Sequence, residues 1–254
     1  MNQFALCSVK GAPGTTTLAL AMTSALAHDL GDAAFVEADP AGGDLAGLLG
    51  LALDPGMASL AAASRHQSVS PDVRAHAQAL PAGGWALLGS TDPAQASATI
   101  ATLASRLSQS LRAAVPAAVV DCGRWGSPSP TAGLLGSVTA TAVCVRARVP
   151  SIEAVRVRAR DLWEATGGRV GLVVCGDDPY GADQLEAATG LPVLGQVPGD
   201  PRACKALIGA GSSRVDRLLL IRAARSITEA LAALGRDAPA TSLAAAVSSN
   251  GAKR

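Results

Sequence analysis

The sequence predicts an α/β fold: a doubly wound, mainly parallel sheet with helices on both faces. Short apolar runs alternate with longer Ala/Leu-rich stretches of helical character, which is the pattern of successive βαβ units. Polar punctuation by Gly, Pro and Asp follows the apolar runs, at the strand ends where such sheets bind ligands. Composition agrees. Hydrophobic residues make up 49% of the chain but aromatic residues only 2%, so the core is built from Ala, Val and Leu, small enough to let helices lie close to a sheet.

The elements follow in order. Phe4 to Val9 reads as a buried strand and Thr15 to Ala27 as a helix. Ala33 to Glu37 is a second strand, and a helical Ala/Leu-rich stretch follows Asp44. Trp85 to Leu88 is a third strand, and Pro93 to Ala114 one long helix. Further strands are expected at Ala117–Val120, Thr141–Val145, Val170–Val174 and Pro192–Gln196. Helices fill Ser151–Thr166, Ala182–Thr189 and Pro201–Ile208, and a last one runs from Val215 to Leu234. Residues 1–235 read as one domain. From Arg236 the composition turns to Ala, Ser, Thr and Pro, which suggests a disordered tail over 236–254.

Charge and cysteine usage exclude several classes. With 21 basic and 20 acidic residues the net charge is +1, unlike a strongly basic nucleic-acid binder. Cys7, Cys122, Cys144, Cys175 and Cys204 form no C-x-x-C pair and read as reduced core residues. The N-terminus carries no basic region and no stretch is long and apolar enough to span a bilayer, so a cytoplasmic protein is expected.

The chemistry is expected in the loops. Lys10-Gly11-Ala12-Pro13-Gly14-Thr15-Thr16-Thr17 lies between the first strand and the first helix, where backbone N–H groups and the helix dipole converge on an anion. Gly11 and Gly14 let the backbone come close to phosphate oxygens, and the hydroxyl of Thr16 or Thr17 stands where a phosphate loop holds Mg²⁺. Taken alone, the segment also reads as a glycine-rich βα turn or a variant dinucleotide turn. Asp39-Pro40 follows the second strand, and Asp121-Cys122-Gly123 ends the fourth, where a carboxylate can hold Mg²⁺ through water.

These loops together resemble the ParA/MinD-type P-loop ATPases. The first is similar to their deviant loop K-G-G-x-G-K-T-T: Lys10 matches the lysine that crosses a dimer to the partner's nucleotide, Gly11 and Gly14 match glycines, and Thr16 the Mg²⁺ ligand. Ala12 replaces a glycine. Thr15 replaces the second lysine, which contacts the β/γ-phosphates; losing such a charge-assisted contact costs about 1.5–3 kcal/mol, so weak binding or slow hydrolysis is expected. Glu37-Ala38-Asp39-Pro40 resembles D-x-D-P-Q-G, with Asp39 as the acid that organises Mg²⁺ and the catalytic water. Asp121 and Gly123 resemble the Walker B strand and switch II, and Val197-Pro198-Gly199-Asp200-Pro201 the late turn that lies beside the base. The asparagine that reads adenine after the sixth strand is missing from Cys175-Gly176-Asp177-Asp178.

The resemblance implies a homodimer that binds ATP and Mg²⁺, a protein partner that reads the dimer state, and a cargo such as DNA or an assembly machine. Lys10, Gly11, Ala12, Pro13, Gly14, Thr15, Thr16, Thr17, Asp121, Gly123, Pro198 and Asp200 would bind nucleotide. Thr16, Asp39 and Asp121 would hold the metal, and Lys10 and Asp39 would serve hydrolysis. The substitution at Thr15 also fits a TadZ/CpaE-like scaffold that dimerises without regard to ATP. Arginine groups at 146–160 and 214–225 permit nonspecific DNA contact, although solvated helix faces are the favoured reading. The end Ala-Val-Ser-Ser-Asn-Gly-Ala-Lys-Arg has no bulky apolar face, so no direct membrane insertion is expected.

Overall fold

A computed structural model describes residues 2–66, 72–177, 179–210 and 215–237. The strands are β1 (Asn2–Ser8), β2 (Ala34–Glu37), β3 (Gln78–Ala79), β4 (Trp85–Leu87), β5 (Ala117–Arg124), β6 (Ala140–Val145), β7 (Val170–Cys175) and β8 (Val193–Val197). They form one eight-stranded sheet in the order β3-β4-β2-β5-β1-β6-β7-β8. Every pairing is parallel except that of the short edge strand β3 with β4.

Period-2 alternation sends each strand's side chains to two separate cores. In β1, Ala5 and Cys7 face one side, and Phe4 and Leu6 the other. In β5, Ala118, Val120 and Cys122 share the first side, and Ala117 and Val119 the second. The first face is covered by α3 (Met57–His66), α4 (Pro93–Leu103), α5 (Leu107–Ala114), α6 (Ala132–Ser137), α7 (Val149–Thr166) and α8 (Ala182–Thr189). The second is covered by α1 (Thr15–Leu30), α2 (Leu45–Leu49), α9 (Pro201–Leu207) and α10 (Leu219–Asp237). Ala19, Ala21 and Ala25 of α1 are buried, and with so little side-chain bulk the helix lies directly on β1 and β5. Among the described residues no helix is long and apolar enough to cross a membrane.

The expected doubly wound sheet is present, with local differences. The single helix expected over Pro93–Ala114 is two, α4 and α5, joined by a turn at residues 104–106 in which the Arg106 amide donates to the Leu103 carbonyl. No Gly or Pro marks the break, and Leu103 and Leu107 stay in the same core on either side of it. The stretch after Asp44 resolves into α2 and α3, separated at Gly50. Strand β3 and helix α6 carried no apolar run long enough to read. The last helix begins at Leu219, after a 3-10 turn at Val215–Arg217, and runs to Asp237. The remainder of the expected tail, 238–254, lies outside the described residues, as does Arg214.

Strand order places the ends of β1, β2 and β5 side by side. Leu6 of β1 and Glu37 of β2 are both in register with Asp121 of β5. Glu37 is 4% exposed, and its carboxylate accepts hydrogen bonds from the amides of Leu45 (2.8 Å) and Gly89 (2.9 Å). It thereby ties the loop after β2 to the loop after β4. Gly43 has to be glycine, because a Cβ there would lie 2.4 Å from the Glu37 carboxyl carbon. Glu37→Ala leaves two buried amides unpaired and is expected to cost about 2–4 kcal/mol, or roughly 5–15 °C in Tm for a domain of this size. Thermal denaturation checks this; a loss under about 1 kcal/mol would mean the amides find other partners.

Candidate functional site

The candidate site lies where the ends of β1, β2 and β5 meet the first turn of α1. The loop from Lys10 to Gly14 carries the chain over the end of the sheet. Gly14 precedes α1 with φ +102°, and no side chain caps that helix end. The first-turn amides of a 16-residue helix are therefore left to something other than a capping side chain. They face an open cleft of about 450 Å³, lined by the loop glycines, Thr15, Thr16 and Thr17, by Asp39 and Asp44, and by Gly123 and Arg124.

Asp121 lies beneath this cleft and is 1% exposed. Its carboxylate accepts a hydrogen bond from the Thr16 hydroxyl and another from the Gly123 amide at 3.0 Å. Burial pushes its pKa up to about 6, against those hydrogen bonds, and the nearby Asp39 carboxylate adds to the rise. Asp39 accepts from the Ala41 amide at 2.8 Å, and burial raises its pKa as well. The two acids are brought together by Gly123, whose φ is +57° and whose absent Cβ would fall 1.9 Å from the Asp39 carboxyl carbon. Any side chain at 123 would displace Asp39 from the cleft.

The loop residues expected to bind phosphate fall into distinct places. Gly11, Ala12, Gly14, Thr15, Thr16 and Thr17 line the cleft. Pro13 is buried behind them. Thr15 is 7% exposed; its hydroxyl lies beside the Cys144 thiol and is otherwise without a partner among the described residues. Lys10 is exposed and lines a neighbouring cleft with Arg124, Glu153 and Val157 of the α7 side. Pro198 and Asp200 stand apart from the main cleft. Asp200 caps α9 by accepting from the Ala203 amide at 3.0 Å, and its other oxygen accepts from the Leu220 amide at the start of α10 at 3.3 Å.

Sequence reasoning missed Glu37 as the anchor of the loop that carries Asp39, and Arg124 as a cleft residue. Three consecutive positions after Asp121 gave the only available signal: a glycine followed by an arginine at a strand end. The arginine groups are largely accounted for by local partners. Arg156 pairs with Glu153 at 2.7 Å, Arg160 with Glu164 at 2.9 Å and Arg225 with Asp29 at 2.8 Å. Cys7, Cys122, Cys144 and Cys175 are free and buried, as expected of core thiols, and Cys204 is free and exposed.

These residues fit a nucleotide with Mg²⁺. An uncapped helix N-terminus under a glycine loop suits phosphate oxygens. A hydroxyl and one or two carboxylates suit Mg²⁺, which takes the rest of its shell from phosphates and water. Among the described residues no group of three or more His, Cys, Asp or Glu forms a cage of its own.

No family model and no curated protein matches this sequence. Solved structures do match in fold. The cell division ATPase MinD of Pyrococcus furiosus is 17% identical, with a TM-score of 0.68 over 90% of this chain and 98% of that one. A ParA family ATPase from Chlorobium tepidum is 16% identical, with a TM-score of 0.60 over 93% and 99%. The septum site-determining protein MinD of Pyrococcus horikoshii, complexed with Mg-ADP, is 16% identical, with a TM-score of 0.65 over 90% and 94%. The fold is that of the ParA/MinD P-loop ATPases.

Asp121 generates a stability prediction. Its folded pKa, about 6, lies above the ordinary 3.8, so the folded chain binds this proton more tightly than the unfolded one. The contribution is favourable while the group is protonated and is lost as pH rises from about 4 through about 6. In the metal-free and nucleotide-free chain, Asp121→Asn keeps an acceptor oxygen for the Gly123 amide, lets the rotatable Thr16 hydroxyl pair with the side-chain amide, and removes the buried charge. It is expected to stabilise by on the order of 2 kcal/mol at pH 7, with the gain fading toward pH 4. Denaturant melts of both proteins across that range check this; a variant less stable than the parent at pH 7 overturns it.

Proposed function

We propose that this chain is a nucleotide-dependent dimerising switch of the ParA/MinD kind. It binds ATP and Mg²⁺ in the cleft, closes face to face on a second copy, and in that state presents a surface to a protein partner that positions a large cellular cargo. The observation that carries the reading is the uncapped N-terminus of α1, opening under the Gly11–Thr17 loop onto the paired Thr16 and Asp121.

The residues divide the work. The amides of Gly11 to Thr17 cradle the phosphates. The Thr16 hydroxyl, with Asp121 and Asp39, would hold Mg²⁺, which neutralises phosphate charge when bound. Asp39, kept in the cleft by the bare Cα of Gly123, would orient the attacking water and take up its proton. The exposure of Lys10 in the neighbouring cleft supports a role in which it crosses to a partner's phosphates. Thr15 brings no charge, so hydrolysis is slow.

Matches named for cell division and septum-site determination support a positioning role. Candidate cargoes are a chromosome or plasmid, a division site, or pilus machinery, with the cytoplasm as the place of work. DNA contact through the arginine groups is not favoured, because Arg156, Arg160 and Arg225 are engaged with acids of their own fold. Thr15 favours a second reading: a scaffold for pilus or secretion assembly that dimerises independently of nucleotide.

The mass of the purified chain in solution separates them. It is measured with Mg²⁺ alone, with ATP and with ADP, beside Lys10→Ala. The switch predicts that ATP drives monomer to dimer and that Lys10→Ala stays monomeric. An unchanged mass in every condition, with no ATP binding by calorimetry, leaves the scaffold.

A further inference from the structure

We infer that Arg124 supplies from β5 the positive charge that Thr15 cannot supply from α1, and that it is this chain's own phosphate-contacting cation. The inference rests on the nucleotide reading above and adds a residue and a direction of approach to it.

Three observations carry it. First, among the described residues lining the main cleft Arg124 is the only cation. Lys10 lies in the neighbouring cleft, which Arg124 also borders. Second, Arg124 already touches the phosphate loop: its Nη2 donates to the Gly11 carbonyl at 3.3 Å. Its charge also pulls against the rise in the Asp39 pKa, placing it near the acid side of the cleft.

Third, the backbone is built to put it there. β1 and β5 run in register from Asn2↔Ala117 to Leu6↔Asp121, and the register then shifts so that Ser8 pairs with Arg124. Regular pairing would set Gly123 opposite Ser8. The extra residue, with Gly123 at φ +57°, is a bulge-like irregularity, and such shifts re-aim the side chain that follows. Here the re-aimed side chain is Arg124, carried over the mouth of the loop. Its planar fork can hold two phosphate oxygens at once, where an ammonium acts as a point charge. A buried, uncharged Thr15 in the cleft wall is thus matched by the exposed guanidinium of Arg124 in the same wall.

Calorimetry with Mg-ATP at several NaCl concentrations tests this on the full chain, Arg124→Ala, Arg124→Lys and Thr15→Lys/Arg124→Ala. Arg124 is exposed, and matching thermal melts of the apo proteins confirm that each variant is folded. Arg124→Ala is expected to weaken ATP binding on the order of 10- to 100-fold and to flatten its salt dependence. Arg124→Lys should recover part of the affinity, and the double variant, with its charge returned through position 15, should recover affinity and salt dependence together. If the parent binds ATP and Arg124→Ala binds it within about twofold, or if the double variant regains nothing, Arg124 does not carry the phosphate charge while the nucleotide reading stands. If the parent binds no ATP, the nucleotide reading fails and this inference fails with it.

Discussion

Asp121 is almost completely buried, and the chain compensates its carboxylate with two hydrogen bonds, from the Thr16 hydroxyl and the Gly123 amide. Desolvating an ionised acid costs more than such bonds return, which is why its pKa rises. Much of the site is arranged around that debt. The Thr16 bond fixes the first turn of α1 over the end of β5. The Gly123 bond turns the chain out of β5 at the point where the register slips. The raised pKa of Asp121 and its place beneath the cleft are what make it a candidate for a functional role.

Glu37 shows the opposite use of a buried acid. It is in register with Asp121 and nearly as buried, yet both its oxygens are spent on backbone amides of loops that reach it from β2 and β4. It does not line the cleft. It holds in place the segment from which Asp39 does. One acid ties two loops together and the other ties the first turn of α1 to the end of β5, and the register between them makes the two roles interdependent: a shift of β2 against β5 would move both.

Seven of the eight strands, most helices and the glycine loop are legible in the sequence because each rests on a local signal, whether apolar runs, glycines or Asp-Pro turns. What was not legible depends on partners distant in sequence. Glu37 looked like a weaker copy of a family aspartate; its role appears only when Gly89, 52 residues away, arrives at its oxygen. The break between α4 and α5 has no breaker residue, so only packing against the sheet reveals it. The bulge that aims Arg124 is a relation between two strands, and no window of one strand contains it. Asp200 accepts from amides at the starts of α9 and α10, and its bond to Leu220, 20 residues on, is a link that no local signal announces.

Helix α1 begins at the cleft and, about 24 Å away by helical rise, ends against α10, where Arg225 grips Asp29 through two nitrogens. The two helices pack along the same face of the sheet. In mechanical terms α1 is a strut clamped at its far end and braced along its flank. It resists both pivoting and sliding. Its cleft end is tied down too, through the Thr16 hydroxyl on Asp121, so the helix stands as a beam supported at both ends.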